Sequence, residues 1–480
     1  MPAAHVTFLP SFEPLDLAFG AAVLVAALSA SGHAVIYKRE SRSASLWVIL
    51  IWVMPAVGPI LYLLMGVNRV RRRAARMRGD MVRHRADPNI VPGEPPGTHL
   101  APLARMLNAV SERPLVAGNL IEDLVDGAQA YPAMLEAIDS ARSSIMLASY
   151  IFHGDGIGAQ FVDALIRAHR RGVQVRVLVD DVDARFSWHS AYKPLRHGGV
   201  PVGIFNPPLV PARLNAVHLR NHRKILVVDG AIGFTGGMNI DRRYLDEENP
   251  AQSSRDLQFR LRGPVVAQLA EVFANDWQFT TDEALRGAPW FVPLEPAGEV
   301  LARTVDDGPD ESAEPLRWAI VGGLNQAQRS VRVLTPYFVP DSALITALDV
   351  AAMRGVEVDI LLPSASDLPH VQWAAFGQLW QVLERGCRVW QSPPPFDHSK
   401  LMVVDGAWTL LGSANWDARS LRLNFELNVE CYSVEFGARM EGLMQARLNA
   451  ARRVTLEEIN ARSLPVKLRD GAARLFAPFL

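Results

Sequence analysis

Two long apolar stretches near the start of the chain set the first expectation. Residues 17–36 and 44–67 carry no formal charge. Each is long enough to cross a hydrocarbon core of about 30 Å as a helix, and neither has the polar face of a core helix. Pro55 and Pro59 interrupt the second stretch, where neighbouring helices in a bilayer can compensate for the lost hydrogen bonds. The pattern predicts an N-terminal tail (1–14) and a transmembrane helical hairpin (15–67), with helices at about 15–37 and 44–67.

Further along the chain, strand and helix patterns occur in the same order twice. Residues 144–181 read as an apolar strand, a Tyr-Phe turn, an amphipathic helix ending at Arg-Gly and a second apolar strand. Residues 330–367 repeat that order. Strand–helix–strand units of this length favour parallel pairing in an α/β layered fold. We therefore expect two related α/β lobes, residues 116–290 and 291–480.

The segment between these regions, residues 68–115, is expected to be a basic juxtamembrane segment and linker. Eight arginines fall between Arg69 and Arg85, and residues 87–97 are rich in Pro and Gly. No Lys or Arg precedes Leu17. Because basic residues concentrate on the cytoplasmic side, the lobes are expected in the cytoplasm, although Lys38, Arg39 and Arg42 would then face outward. The arginines can also attract anionic lipid headgroups.

Composition excludes several classes of function. Charged residues make up 21% of the 480 residues and hydrophobic ones 49%, so a folded chain is expected. The net charge of −1 gives no basic body for binding a nucleic acid. The two cysteines, Cys387 and Cys431, lie in apolar runs without metal-ligand spacing, so we expect neither a disulfide nor a metal site.

Candidate chemistry lies in a string that occurs twice. Residues 222–239 read HRKILVVDGAIGFTGGMN and residues 398–415 read HSKLMVVDGAWTLLGSAN, with nine of eighteen positions identical. Similar core strands explain the apolar matches but not the polar ones. The candidate catalytic residues are the matching polar side chains His222, Lys224, Asn239, His398, Lys400 and Asn415. Facing each other across a pseudo-twofold, they would surround one phosphorus, with one histidine attacking and the other protonating the leaving alcohol.

Five further residues are candidates for supporting roles: Asp229, Asp256, Asp405, Ser413 and Glu426. Asp256 and Glu426 lie on apparent strands expected to neighbour the motif strands, where a carboxylate can orient a motif histidine. Asp229 and Asp405 end the motif strands about 23 Å from the histidines by strand rise, so we interpret them as turn or structural residues. The lysines and asparagines can neutralise developing negative charge, and no carboxylate cluster accompanies them. A metal-independent reaction without a cofactor is therefore expected.

These paired motifs resemble those of the phospholipase D superfamily. The wider chain is similar to bacterial cardiolipin synthases of the membrane-anchored type, on the strength of PAVGPILYLLMG in the second apolar stretch, TPYFVPD, and RSLRLNFE after the second motif. The resemblance implies two pseudo-symmetric phospholipase D-like lobes at the bacterial inner membrane. It also implies that His222 attacks one phosphatidylglycerol, that His398 is the general acid, and that a second phosphatidylglycerol receives the phosphatidyl group. The implied partners are phosphatidylglycerol and other anionic phospholipids, with no nucleic acid.

Two alternatives remain open from the sequence. A membrane-bound phospholipase D that transfers the intermediate to water would use the same motifs, and the apolar hairpin fits both enzymes. The motif departs from the superfamily pattern at Gly237, where the second copy has Ser413. A catalytically inactive membrane scaffold would keep the fold, but it would not be expected to keep both sets of His, Lys and Asn.

Overall fold

The computed structural model describes residues 14–38, 41–66, 93, 98–205, 220–245, 252–308 and 314–476. The chain forms two compact units, residues 1–73 and 74–480. The tail expected before residue 14 and the arginine cluster at 69–85 lie outside the described residues, as does nearly all of the Pro/Gly-rich stretch 87–97.

The first unit contains one long apolar helix and two shorter ones. Helix α1 (Pro14–Tyr37) is, within the part of the chain that the structure describes, the one helix long and apolar enough to cross a membrane. Helix α2 (Ser41–Val53) ends well short of the helix expected over 44–67. A turn follows, and then α3 (Gly58–Leu61), which continues as a single π turn. Pro55 lies in that turn, where it provides no N–H and its ring obstructs a continuing helix.

The chain reverses direction between α2 and α3. A Cβ on Gly58 would lie 2.6 Å from the Cα of Ile51, seven residues earlier. The ring centroids of Trp47 and Tyr62 are 5.3 Å apart, although fifteen residues of straight helix would separate them by about 22 Å. The expected single second helix is therefore a tight hairpin of two short helical segments.

The second unit is built on one long mixed sheet. Its strands, in chain order, are β1 (Val116–Val125), β2 (Ser144–Ser149), β3 (Gln174–Asp180), β4 (Val202–Phe205), β5 (Ile225–Val228), β6 (Ile232–Gly236), β7 (Ser254–Arg255), β8 (Leu257–Arg262), β9 (Val300–Asp307), β10 (Ser330–Leu334), β11 (Phe338–Val339), β12 (Glu357–Pro363), β13 (Arg388–Ser392), β14 (Phe396–Asp397), β15 (Leu401–Val404), β16 (Trp408–Gly412), β17 (Trp416–Asp417), β18 (Glu426–Tyr432) and β19 (Arg452–Val454).

Strand order shows the duplication directly. The main sheet runs β19-β13-β12-β10-β15-β16-β18-β9-β1-β8-β6-β5-β2-β3-β4. Apart from β19 at one edge, the order on one side of the β9–β1 pair mirrors the order on the other. Equivalent strands β1 and β9 pair antiparallel at the centre, which is the arrangement that a twofold axis between the lobes requires. The two lobes thus share one sheet, and the expected α/β class is confirmed.

Helices cover the sheet in both lobes. They are α4 (Ala101–Val110), α5 (Asp126–Ser140), α6 (Ile157–Arg170), α7 (Asp181–Phe186), α8 (Tyr192–His197), α9 (Val265–Thr281), α10 (Pro315–Gln326), α11 (Ser342–Met353), α12 (Pro369–Phe376), α13 (Leu379–Glu384), α14 (Ala418–Arg422), α15 (Val434–Asn449), α16 (Leu456–Asn460) and α17 (Leu464–Leu475). In α6, Phe161, Leu165 and Ala168 are buried at helical spacing and pack in the first-lobe core.

Helix α4 lies inside the segment that was expected to be a linker up to residue 115. Its Leu103, Ala104 and Leu107 are buried in the core of the second lobe. Its apolar face, rather than a Pro/Gly-rich composition, decides its structure. The linker expectation is therefore wrong for residues 101–110, which belong to the folded body.

Candidate active site

The two motifs place a histidine and a lysine just before the buried strands β5 and β15. Lys224 Nζ donates to the backbone oxygen of His222 at 2.6 Å, and Lys400 Nζ donates to that of His398. Both lysines lower the pKa of both histidines, so the four groups share one electrostatic site. All four side chains are buried.

Each motif histidine is held by a carboxylate from the other lobe. Nδ1 of His222 lies 3.0 Å from Oε2 of Glu426, and Nδ1 of His398 lies 2.8 Å from Oδ2 of Asp256. The sequence interpretation placed these carboxylates on strands beside the motif strands. Instead, β6 and β16 intervene in the sheet, and the carboxylates contact the histidine across the lobe boundary.

At both motifs, a backbone hydrogen bond between the lobes accompanies the contact between the histidine and the carboxylate. The N–H of His222 donates to the carbonyl of Phe425 at 2.9 Å, and that of His398 donates to the carbonyl of Arg255 at 2.8 Å. In each case the acceptor residue directly precedes the orienting carboxylate. The lobes therefore present each histidine to its partner through equivalent main-chain contacts.

The two carboxylates differ in their electrostatic surroundings. Burial raises the pKa of Asp256 to about 8, so this group holds a proton at neutral pH. Burial also acts to raise the pKa of Glu426, but His222, Lys224 and the Ser413 hydroxyl outweigh it and leave the pKa below its usual value. Ser413 Oγ donates to Glu426 Oε2 at 2.5 Å. A Cβ on Gly237, the matching position, would collide with the carboxylate of Asp256.

Burial also sets the charge of the basic groups. It lowers the pKa of His222 to about 4, with the lysines adding to the effect against the attraction of Glu426. The pKa of His398 falls well below its ordinary value, first through burial and then through the lysines. Burial lowers the pKa of Lys224 to about 7 and that of Lys400 to about 8. His222 is therefore a neutral imidazole at neutral pH, with its Nδ1–H directed at an ionised carboxylate.

The motif asparagines, Asn239 and Asn415, lie three residues after the glycines that end β6 and β16. Oδ1 of Asn239 accepts from the N–H of Ile151 at 3.3 Å, and its carbonyl accepts from the Tyr131 hydroxyl at 2.7 Å. Oδ1 of Asn415 is buried without a hydrogen-bond partner among the described residues. Amide side chains in these positions can donate hydrogen bonds to an anion.

Asp229 and Asp405 lie at the far ends of the motif strands and hold the start of the neighbouring strand. Asp229 accepts from the backbone N–H of Arg142, Ser143 and Ser144 and from the hydroxyl of Ser143. Asp405 makes the equivalent contacts to the N–H groups before β10 and is 2.7 Å from Nε2 of His99. Both residues have positive φ, near +52° and +54°. Their contacts stabilise turns and do not reach the histidines.

Aromatic side chains line the histidines, and sequence reasoning did not assign them a role. The Tyr150 ring lies 5.0 Å from that of His222, and the Tyr337 ring lies 6.5 Å from that of His398. The repeated Tyr-Phe turn was the signal for both. The Tyr244 hydroxyl lies 3.3 Å from Nδ1 of His398. Tyr244 aligns with Ser420 in the second copy (NIDRRYL against NWDARSL), so the repeat gave no indication of it.

A buried arginine also supports the site. Arg223 forms an ion pair with Asp276 at 2.7 Å, and its Nε donates to the backbone oxygen of Glu426 at 3.0 Å. It fixes the strand that carries this carboxylate. The second motif has Ser399 at that position, so comparison of the two strings gave no indication of the arginine's role.

A cavity of about 620 Å³ lies close to His398, although none of the six motif residues lines it. It is lined by Arg242, Arg243 and Phe396, among others, and the Phe396 ring lies 6.0 Å from that of His398. Within the described residues, no group of three or more His, Cys, Asp or Glu side chains is arranged to hold a metal ion.

Comparison with known proteins gives a matching family model for each of the two units. The family model described as "Cardiolipin synthase, PLD-like domain" matches residues 134–277 and 320–448, and the one described as "Phospholipase_D-nuclease N-terminal" matches residues 22–66. The chain is 31% identical to the major cardiolipin synthase of Bacillus subtilis (strain 168) over 463 residues, covering 93% of this chain and 96% of the relative. It is 32% identical over 459 residues to cardiolipin synthase A of Pseudomonas entomophila (strain L48), covering 93% and 95%.

A solved structure confirms the fold. Phosphatidylserine synthase of Haemophilus influenzae Rd KW20 superposes with a TM-score of 0.61 at 18% identity, covering 79% of this chain and all of that one. The resemblance drawn from the paired motifs is thus confirmed, and with it the expectation of a phosphatidyltransferase. The chain belongs to the cardiolipin synthase family of the phospholipase D superfamily.

Proposed function

We propose that this enzyme transfers a phosphatidyl group from one phosphatidylglycerol to another through a phosphatidyl-histidine on His222. The observation that carries the proposal is the reciprocal holding of His222 by Glu426 and of His398 by Asp256. The pair that contains Glu426 has an ionised carboxylate and a neutral imidazole. The pair that contains Asp256 holds a proton on the carboxyl group at neutral pH. One histidine is therefore prepared to attack, and the other to supply a proton.

In the first step, Nε2 of His222 attacks phosphorus while Glu426 accepts the hydrogen bond from Nδ1–H. The bond between phosphorus and the glycerol oxygen breaks, and a phosphorus–nitrogen bond forms. The departing oxygen takes a proton from Nε2 of His398, and Asp256 can replace that proton at Nδ1. The bound phosphodiester anion also favours the protonated form of His398. Glycerol leaves as a neutral alcohol.

In the second step, the terminal hydroxyl of another phosphatidylglycerol attacks the same phosphorus. Its proton passes to Nε2 of His398, and the bond from phosphorus to Nε2 of His222 breaks. Cardiolipin forms, and both histidines return to their starting protonation states. The phosphoamide retains the energy of the cleaved ester, so the transfer needs no nucleotide.

Positive charge for the developing oxyanion comes from Lys224 and Lys400, with the amide groups of Asn239 and Asn415 as further donors. The lysines lie in a buried environment, where a charge interaction is stronger than in water. This arrangement supports a reaction that does not depend on a metal ion or a cofactor.

The cavity beside His398 supports transfer to a lipid alcohol over hydrolysis. An alcohol that leaves and an alcohol that attacks both occupy the position next to the general acid and base. A space of about 620 Å³ can accommodate a polyol headgroup with its phosphate. Arg242 in its lining can pair with an anionic phosphodiester. Arg243 is already paired with Asp241, and Asp155 and Asp367 line the same cavity. A lipid that fills this cavity also excludes water from the phosphoamide.

Membrane association follows from the apolar first unit and its match to a phospholipase D N-terminal family. We further propose that the catalytic lobes lie on the cytoplasmic side, because the arginines from Arg69 to Arg85 follow the apolar segment directly. In that position the lobes meet a surface where lipid hydroxyls are concentrated.

Product analysis of the purified full-length enzyme tests the reaction. In micelles of phosphatidylglycerol, cardiolipin and glycerol should form in nearly equal amounts, with phosphatidic acid as a minor product that rises as neutral detergent dilutes the lipid. Phosphatidic acid as the main product at high lipid density would instead support a phospholipase. Folded wild-type protein that forms neither product, like the His222→Ala control, would support an inactive scaffold.

A further inference from the structure

We propose that the N-terminal unit crosses the membrane once, through α1, and that α2 and α3 form a re-entrant hairpin that enters and leaves through the same face. The proposal goes beyond the catalytic function and rests on the reversal at residues 54–58. It replaces the two crossings expected from hydrophobicity.

The lengths of the helices support one crossing. The 24 residues of α1 span about 36 Å, enough for a hydrocarbon core of about 30 Å. The 13 residues of α2 span only about 20 Å, so this helix ends inside the core. Trp52, Val53 and Met54 at its end are exposed apolar side chains, which lipid acyl chains would cover.

The contacts of the returning segment show where it leads. Gly58 lies against Ile51, and Tyr62 lies against Trp47. As the chain advances four residues from Gly58 to Tyr62, its contact on α2 therefore moves four residues back, towards the start of that helix. Continued to Gly66, this register reaches the level of Ser43, near the start of α2. The chain therefore leaves the hairpin at the face where it entered.

A hydrogen bond ties the returning segment to the crossing helix at that same end. Nδ1 of His33, one turn before the end of α1, lies 2.8 Å from the hydroxyl of Tyr62. Each polar group satisfies the other in an apolar setting, where an unpaired polar group would be unfavourable.

The turn pairs part of its own backbone internally. Pro55 and Pro59 have no N–H, so neither leaves a donor unsatisfied. The N–H groups of Val57 and Gly58 both donate to the carbonyl of Met54, at 3.1 and 2.6 Å. Residues 52–57 are exposed in this unit, so at membrane depth the turn requires cover from another part of the protein or from a second copy.

Charge distribution agrees with this topology. With two crossings, Lys38, Arg39 and Arg42 would lie on the opposite side from the arginines between Arg69 and Arg85. With a re-entrant hairpin, all of these basic residues lie on one side, and the tail before α1 contains no Lys or Arg. The positive-inside rule then holds without exception, with the N-terminus outside the cytoplasm.

Cysteine accessibility in the full-length protein tests the topology. The natural Cys387 and Cys431 are buried and would be replaced by alanine in a background that retains activity. Single variants Ala3→Cys, Ser41→Cys, Ala56→Cys and Ala75→Cys would be expressed in cells and treated with a membrane-impermeant maleimide. We expect Ala3→Cys to react in intact cells, Ser41→Cys and Ala75→Cys to react only after permeabilisation, and Ala56→Cys to react only after denaturation.

Each other pattern would overturn the proposal. Reaction of Ser41→Cys in intact cells, with Ala3→Cys protected, would establish two crossings. Protection of all four positions until permeabilisation would mean that α1 does not cross. Reaction of Ala56→Cys from either side without denaturation would place the turn in water. Cardiolipin formation by each variant serves as the control for a native fold and is independent of which topology holds.

Discussion

The Ser413 hydroxyl donates to the same oxygen of Glu426 that holds Nδ1 of His222. In the first motif Gly237 takes the place of this serine, and Asp256 fills the space that a side chain would need. One carboxylate is thereby kept ionised by a hydroxyl and an imidazole, whereas the other is buried against a glycine and holds a proton. The two halves of the site differ in their proton content, although their main-chain geometry is equivalent.

Neutralising each carboxylate should slow a different step. Glu426→Gln removes the ionised acceptor that orients the His222 imidazole, and we expect adduct formation to slow by up to about 10⁴-fold, as for the histidine–carboxylate pair of a catalytic triad. Asp256→Asn leaves Glu426 in place but removes the carboxyl group that supplies a proton to His398. Glycerol release should therefore slow, and the dependence of the rate on alkaline pH should change. Rapid-quench measurement of adduct and glycerol distinguishes the two. Equal loss at both steps in both variants would contradict the unequal roles.

The attachment point should be His222. With radiolabelled phosphatidylglycerol, His222→Ala should give no acid-labile protein adduct, because the nucleophile is absent. His398→Ala should still form the adduct, more slowly, and break it down more slowly, because the proton donor and acceptor is absent. Label retained by the His222→Ala protein and lost from the His398→Ala protein would reverse the assignment.

The value of kcat/KM should fall on the alkaline side as the lysines lose their charge. The pKa values of Lys224, about 7, and Lys400, about 8, mean that the free enzyme loses positive charge as the pH rises through this range. Binding of an anionic phosphodiester weakens accordingly. On the acid side, His222 should remain neutral down to about pH 4. Lys400→Arg keeps its charge, so the part of the fall near pH 8 should move to higher pH, while the part near pH 7 that Lys224 causes remains. An unchanged fall near pH 8 would show that Lys400 does not control it.

Activity should persist after removal of divalent cations, because lysines supply the positive charge of the site. Dialysis against EDTA should leave kcat for cardiolipin formation within about twofold of its starting value, well below the tenfold that corresponds to 1.4 kcal/mol. A loss of activity that is restored by Mg²⁺ would show that the reaction needs a cation.

Asp229 should contribute to stability and not to chemistry. Asp229→Ala removes the acceptor of four hydrogen bonds at a position with positive φ, and we expect a destabilisation of about 2 kcal/mol. The Asp163→Ala variant, at an exposed position on α6, is a control that should unfold like the wild type. Thermal unfolding measures the first effect, and the rate per folded molecule should be unchanged. A loss of kcat at full stability would assign Asp229 to the reaction.

The sequence predicted the duplicated fold and the polar residues of the motifs because the string occurs twice. Apolar positions that match between the copies are explained by similar core strands, whereas matching polar positions indicate a shared chemical role. It could not predict which lobe each carboxylate serves. Asp256 and Glu426 were found by their parallel placement, but strand patterns carry no information on contacts across the lobe boundary. The second apolar stretch shows a different limit. Its hydrophobicity is the same whether the chain crosses or turns back, and only the contacts of Gly58 and Tyr62 distinguish the two.

Because each lobe contributes the carboxylate that holds the other lobe's motif histidine, the structure also suggests how the two copies could have diverged in sequence. Each motif histidine takes its carboxylate from the other lobe, so a lobe alone would have to meet a second copy to complete the same pairs. Two identical copies would give two identical pairs, and the nucleophile could not be distinguished from the acid. Joined in one polypeptide, the copies could accumulate separate substitutions, such as Gly237 with Asp256 on one side and Ser413 with Glu426 on the other. The joining of two copies in one chain thus allows the surroundings of the two motif histidines to differ.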